Sequence, residues 1–306
     1  MNVYTIFDDF TQDAIDILIS AGATITVHPK GMPRPDSAQM KSLLREYDCV
    51  IIGTSQKITA DMFEDITTPR IIATASVGID HIQIPEDKCD LITVINTPKA
   101  NAQSVAEYTI ACALSCCKRL DEGNCLYRIG KDNKSLYQKP EDLFGKTIGV
   151  IGAGNISAKI MEYASFFGMN ILCWTRTPDH HKDLEKYSVK FVELKELAAA
   201  ADIISVNLPN KSETKDLISS ELIKVMNSNA VFISVSRLET INIDALFEKA
   251  CNNRGFYVCL DLDVDSKVVA QIPDLPNVSV TPHIAGGTVE TRKKMFQELA
   301  EAITFF

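Results

Sequence analysis

Two glycines at the end of an apolar run, Gly152 and Gly154 in the segment Thr147–Ser157 (TIGVIGAGNIS), combine residue type and spacing in a way that implies chemistry. Gly152 is expected to allow a tight turn, and Gly154 to let the backbone approach a pyrophosphate. A helix opening at Asn155 and Ile156 would then present unpaired N–H groups and a partial positive charge to that anion. The small Ser157 stands where a third glycine would permit close packing of helix on strand. The segment is therefore expected to hold a dinucleotide. About 20 residues further on, an acidic side chain would take the ribose 2′-hydroxyl of NAD. Here the strand runs instead into Thr175-Arg176-Thr177, followed by His180, His181 and Lys182. A guanidinium with two hydroxyls suits a 2′-phosphate, so NADP(H) is expected over NAD(H), which stays possible. A solvated basic loop is the plainer alternative.

These residues need a frame of strands and helices. The first hundred residues alternate apolar runs at Val3–Phe7, Cys49–Gly53, Ile71–Ala75 and Ile92–Asn96 with helical periodicity at Gln12–Ala21 and Ser37–Tyr47. A longer helix is expected from about Asn101 through Leu120, with Ser104 and Glu107 spaced as a capping box. Asp121–Phe144 is polar and rich in turn residues. A second series of strands follows at Thr147–Ile151, Asn170–Trp174, Ile203–Leu208, Ala230–Val235, Phe256–Asp261 and Val278–Thr281. Strands alternating with helices predict an α/β protein with two Rossmann-like, doubly wound parallel-sheet domains.

Bulk properties narrow the function classes. The 306 residues carry a net charge of −9 and are 46% hydrophobic, as in a globular protein of two domains. An acidic chain of pI near 5.1 argues against nucleic acid or an anionic membrane as partner. The opening MNVYTIFDDF has no basic region before an apolar run, and no stretch reaches the length of a membrane span, so neither signal peptide nor anchor is expected. Nine cysteines without a CxxC pair suit a reducing, cytoplasmic setting. Cys112, Cys116 and Cys117 cluster in an apolar helical run and read as small hydrophobes, with no metal site expected.

Five blocks in order resemble the D-isomer-specific 2-hydroxyacid dehydrogenase family, in its glyoxylate/hydroxypyruvate reductase-like, NADP-type branch. They are Ser76–Asp80 (SVGID), Asn96–Glu107 (NTPKANAQSVAE), Leu143–Gly152 (LFGKTIGVIG), Ala201–Ser205 with Leu208-Pro209 and Glu213-Thr214, and Thr281–Ala285 (TPHIA). The resemblance implies a substrate-binding domain of residues 1–100 completed by the C-terminal helix 285–306. It also implies a dinucleotide-binding domain of residues 101–284 between these parts, with the active site in the cleft. It implies a homodimer through the region Asn101–Tyr137, and hydride transfer between a nicotinamide and a small 2-oxo or 2-hydroxy acid. Arg237 matches the arginine that orients the substrate, since one guanidinium can contact both its carboxylate and its ketone. Leu238 replaces the glycine usual at the next position. His283 matches the general acid/base, a group titrating near neutrality that supplies the proton for the carbonyl oxygen. Val77 and Gly78 match the loop whose backbone N–H groups hold the substrate carboxylate. Leu208, Pro209, Val235 and Ser236, at strand ends, join the expected cofactor set.

The pattern breaks at one position. The family pairs its histidine with a glutamate five residues after the aspartate of a Leu-Asp-Val motif. Here Leu260-Asp261-Leu262 and Leu262-Asp263-Val264 both qualify, and five residues on stand Ser266 and Val268. Three readings stay open. Asp265, or secondarily Asp263, reaches His283; the histidine works without an acidic partner; or the chain is a silent dinucleotide-binding redox sensor or scaffold. One of Asp261 and Asp263 is expected to meet the nicotinamide carboxamide.

Overall fold

The computed structural model describes residues 1–131, 139–264 and 266–306, apart from the side chains of residues 266 and 267. They form two compact units, residues 1–101 with 288–306, and residues 102–287. In the first, β1 (Asn2–Thr5), α1 (Gln12–Ser20), β2 (Thr24–Val27), α2 (Ser37–Glu46) and β3 (Cys49–Ile52) alternate strand and helix, and β4 (Arg70–Thr74) and β5 (Ile92–Asn96) follow across connections with only short helical turns. The five strands are parallel in the order β2-β1-β3-β4-β5. Residues Cys49–Ile52 of β3 are buried throughout, as expected of a central parallel strand covered on both faces. The edge strand β2, reading TITV and half exposed, has no counterpart among the expected strands because its apolar signal is too short.

The C-terminal helix Val289–Ile303 belongs to this unit for a packing reason. It buries Phe296, Leu299, Ala300 and Ile303 in the core of the first sheet, where the Phe296 ring lies 5.0 and 4.7 Å from those of Phe7 and Phe10. Each large apolar side chain so buried contributes about 1.5–3 kcal/mol. A two-pronged pair from Arg292 to Asp9, at 2.5 and 2.6 Å, adds a directional contact at the rim.

The second unit opens with α3 (Ala102–Lys118) and α4 (Leu120–Arg128). It continues through β6 (Thr147–Ile151), α5 (Asn155–Phe166), β7 (Asn170–Trp174), β8 (Lys190–Phe191), α6 (Leu194–Ala200) and β9 (Ile203–Val206). Then come α7 (Ser220–Val225), β10 (Val231–Ser234), α8 (Ile243–Asn252), β11 (Tyr257–Asp261) and β12 (Val278–Thr281). All seven strands are parallel, in the order β12-β11-β10-β9-β6-β7-β8. One apolar layer sets Ala106 and Ala113 of α3 with Ile160 and Met161 of α5; another holds Leu197, Leu222 and Leu246. A Cβ at Gly149 would stand 2.4 Å from Leu197, so glycine there is what lets α6 lie close to β6. Since β6 has β7 on one side and β9 on the other, the chain reverses direction across the sheet at β6. In open α/β sheets such a reversal marks the place where ligands bind, beyond the carboxyl ends of the strands.

Three local expectations change. Ser104 is no helix cap; it lies inside α3, and its buried hydroxyl donates to the Ala285 carbonyl at 2.6 Å. Part of the polar stretch Asp121–Phe144 is helix α4, because Asp121 and Glu122 fall in its first turn, where acids favour the positive helix end. Arg119, with φ +57°, makes the sharp turn between α3 and α4. The expected interface region Asn101–Tyr137 runs into residues 132–138, which lie outside the described residues. Among the described residues, no helix is long and apolar enough to cross a membrane, and no three His, Cys, Asp or Glu side chains are grouped to hold a metal.

Candidate active site

Gly152 ends β6 with φ +101°, a conformation open to glycine and costly for other residues. Its N–H donates to the Trp174 carbonyl at 2.8 Å, and a Cβ on it would meet the Asn207 carbonyl oxygen at 2.7 Å. The turn is thus wedged between the ends of β7 and β9. Gly154 differs: its backbone is extended, and a Cβ there would have nothing within 4 Å. It is the residue before α5, so the first turn of that helix, from Asn155 and Ile156 on, starts at the glycine turn. Ser157 is fully buried, and its hydroxyl has no partner among the described residues. A tight turn, an open approach at Gly154 and a helix N-terminus directly after it fit a dinucleotide pyrophosphate.

At the same strand edge, Thr175, Arg176 and Thr177 follow β7. The Thr175 hydroxyl accepts from the Thr177 N–H at 3.5 Å. The Arg176 guanidinium reaches Glu213, with Nη1 3.6 Å from Oε1. Glu213 was legible only as part of a matching block, with no role attached. The Leu208 N–H donates to the buried Ser236 hydroxyl at 2.7 Å, which itself donates to the Val206 carbonyl at 3.0 Å. Ser236 therefore stitches the loops after β9 and β10 together. Pro209 accepts from the Thr214 hydroxyl, and the Val235 N–H donates to the Val206 carbonyl at 3.4 Å.

The two aspartates of the ambiguous motif have different jobs. Asp261, at the end of β11, is 4% exposed and fully engaged. Its Oδ1 accepts from the Thr281 hydroxyl at 2.5 Å and the Ile284 N–H at 2.8 Å, and its Oδ2 from the Ala285 N–H at 2.8 Å. It clamps the loop after β12 on both sides of His283, whose own φ is +51°. A left-handed histidine is strained, and such strain persists only where its surroundings over-determine it; the clamp does that.

Asp263 is the carboxylate beside the imidazole. His283 Nδ1 lies 2.5 Å from Asp263 Oδ1, and Arg237 Nε lies 3.8 Å from Oδ2. Burial opposes ionisation of Asp263 as the largest single influence. The hydrogen bond and charge of His283, with the charge of Arg237, together outweigh it and hold the carboxyl below its ordinary range. Arg237 sits at the start of a short turn over Leu238–Thr240, where Leu238 takes an ordinary helical place and the Thr240 hydroxyl donates to the Arg237 carbonyl. Asp265 lies outside the described residues.

Val77 and Gly78, in the first unit, follow β4. Their carbonyls are engaged, by Asn96 Nδ2 at 2.6 Å and the Ser76 hydroxyl at 2.7 Å. Neither N–H has an acceptor among the described residues. The Thr74 hydroxyl, 2.9 Å from that of Ser76 and 3.0 Å from His81 Nε2, braces the loop from below.

Tyr108 of α3 is a residue that sequence reasoning passed over. Its hydroxyl lies 2.6 Å from the Thr281 hydroxyl, which joins α3 to the Asp261 clamp. Next to it, Cys112, Cys116 and Cys259 line a cavity of about 230 Å³, with Cys116 and Cys259 sulfurs 3.5 Å apart. Hydrogen bonding to Cys259, then burial, pushes the Cys112 thiol up, away from thiolate reactivity.

Comparison with known proteins bears on this arrangement. The family model for the NAD binding domain of D-isomer specific 2-hydroxyacid dehydrogenases matches residues 110–285. A hydroxypyruvate reductase of Thermotoga maritima is 31% identical over 269 residues, 87% of this chain and 86% of that protein. A D-3-phosphoglycerate dehydrogenase of Bacillus subtilis is 30% identical over 270 residues, but the 88% of this chain that aligns spans 51% of that longer protein. Among solved structures, an acyclic imino acid reductase in complex with NADPH and D-Arg superposes with a TM-score of 0.85 at 25% identity, over 99% of this chain and 96% of that one. With a glycine turn for a dinucleotide and a histidine, an arginine and a carboxylate gathered at strand ends, the chain belongs to the D-isomer specific 2-hydroxyacid dehydrogenases, oxidoreductases with an NAD(P)-binding domain that act on CH–OH groups.

Proposed function

We propose that this chain reduces a small 2-oxo acid to the D-2-hydroxy acid with NADPH as the preferred reductant, NADH serving less well. The observation that carries the reading is the 2.5 Å contact between His283 Nδ1 and Asp263 Oδ1, with Arg237 against the same carboxylate. An ionised Asp263 accepts from Nδ1–H, which fixes the tautomer and orients the ring. Nε2 is then the atom that hands its proton to the carbonyl oxygen of the substrate. Arg237 orients the carboxylate and ketone and offsets charge growing on that oxygen. The N–H groups of Val77 and Gly78, without an acceptor among the described residues, suit a carboxylate. Gly152, Gly154 and the start of α5 would hold the dinucleotide, which supplies the hydride when bound.

Arg176 supports the NADPH preference, because the strand end offers a guanidinium and no carboxylate of its own. Nine free thiols suit a reducing cytoplasm, and a homodimer would cover the exposed Leu120, Tyr127 and Ile129 of the α4 region. The test is oxidation of NADPH with glyoxylate, hydroxypyruvate, pyruvate and bulkier 2-oxo acids. Turnover that is lost in His283→Ala supports the reading. Tight NADPH binding with no turnover on any of them would sink it in favour of a silent dinucleotide-binding protein.

A further inference from the structure

The loops on either side of the glycine turn converge above it. Gly152 touches the end of β7 through the Trp174 carbonyl and the loop after β9 through the Asn207 carbonyl. From these two anchor points the chain continues to Arg176 on one side and Glu213 on the other. Strands β7 and β9 flank β6, so their ends lie about 10 Å apart, two strand spacings, a gap that two long side chains can bridge. They do so, with Nη1 and Oε1 3.6 Å apart. Glu213 is not loosely placed. The next residue, Thr214, is 2% exposed; its hydroxyl donates to the Pro209 carbonyl at 2.6 Å and accepts from the Lys211 N–H at 3.0 Å. That knot fixes the short turn Ser212–Thr214 on which Glu213 stands.

The residues directly after β7, Thr175–Pro178, include no acid for a ribose hydroxyl, yet the fold brings Glu213 to Arg176 from a different loop. We propose that Glu213 sets cofactor selectivity by competing with a 2′-phosphate for Arg176. With a phosphorylated ribose, the guanidinium must leave the carboxylate for the phosphate, and the two anions then repel each other. With an unphosphorylated ribose, the ion pair persists and Glu213 offers the 2′-hydroxyl an acceptor. The site therefore uses both cofactors, and the preference for NADP(H) is held down by Glu213. This inference rests on the assignment of Arg176 to the 2′-phosphate. Both side chains are about half exposed, at 51 and 55%, so the effect is modest.

The test is calorimetric binding of adenosine 2′,5′-bisphosphate and adenosine 5′-monophosphate to the intact chain, alongside kcat/KM for NADPH and NADH. Glu213→Gln should tighten the bisphosphate about two- to fivefold, as expected for release of an exposed ion pair, while the monophosphate gains nothing. The NADPH to NADH ratio should rise by the same factor. Arg176→Gln should weaken the bisphosphate by about tenfold, the loss of one charge-assisted contact to phosphate. If Glu213→Gln leaves the ratio of the two affinities unchanged while Arg176→Gln lowers it, Glu213 has no part in selectivity and the proposal falls. If Arg176→Gln also leaves the ratio unchanged, the NADPH assignment itself falls, and the proposal with it.

Discussion

The hydroxyl of Tyr108 lies 2.6 Å from Oγ1 of Thr281, and Thr281 Oγ1 lies 2.5 Å from the carboxylate of Asp261. A side chain of α3 is thus wired to the aspartate that clamps the His283 loop. Tyr108→Phe should cost about 1 kcal/mol, one net hydrogen bond, read as a lower urea midpoint with unchanged slope. Asp261→Asn keeps the shape but exchanges an acceptor oxygen for a donor, leaving a buried N–H unpaired. It should cost about 1–3 kcal/mol and lower kcat as the loop relaxes.

Replacement of the carboxylate beside the imidazole separates proton transfer from binding. Asp263→Asn should lower kcat with little change in the dissociation constant of NADPH, because Asp263 faces His283 and Arg237. His283→Ala should lose about 10²–10⁴-fold in kcat, the usual share of general acid–base catalysis. Steady-state kinetics on both variants, beside a cofactor titration, check this.

The pH dependence has a definite sign. Asp263 is held below the ordinary carboxylate range in the folded chain, so its pairing contributes stability above the unfolded pKa, about 3.9. That contribution is lost as pH falls through the lower folded value. Below about pH 4, Asp263→Asn should therefore show less acid destabilisation than the parent chain. Thermal unfolding from pH 3 to 7 reads the difference. An unchanged acid limb would disconnect Asp263 from the linkage.

The two glycines of the turn should fail in different ways. Gly152→Ala places a Cβ at φ +101° and against the Asn207 carbonyl, and should destabilise by about 1–3 kcal/mol. Gly154→Ala meets nothing and has an ordinary φ, so the unfolding midpoint should stay put, with a cost below about 0.5 kcal/mol. Its methyl group would instead stand where the pyrophosphate approaches, and NADPH affinity should drop. A variant with intact stability and intact NADPH binding would remove Gly154 from the cofactor site.

Arg237→Lys keeps the charge and loses the planar fork. It should lower kcat/KM for a 2-oxo acid by about 10²–10³-fold, the scale of a lost donor to a developing oxyanion. Arg237→Gln should be no better, although glutamine retains a donor. Equal kcat/KM in parent and lysine variant would reduce Arg237 to a point charge.

What the sequence determined by itself was local or carried by ordered motifs. The parallel strands were legible because buried strands read as short apolar runs, the cofactor turn because Gly152 and Gly154 meet a backbone need within a few residues. Arg237 and His283 were legible through their motif blocks. The strands β2 and β8 were not, since a half-exposed run of four or two residues carries no apolar signal, nor was α4, whose polar composition reads as loop. The tertiary structure alone decided which side chains meet. Asp261 and Asp263 are two residues apart and equally plausible in sequence. The end of β11 turns one into a buried clamp and leaves the other facing His283, 20 positions away. Ser104 carried a cap signature but answers Ala285, and Glu213 meets Arg176 because β7 and β9 flank β6. Spacing along a chain specifies turns and faces, whereas the partner of a side chain depends on strand order and loop closure.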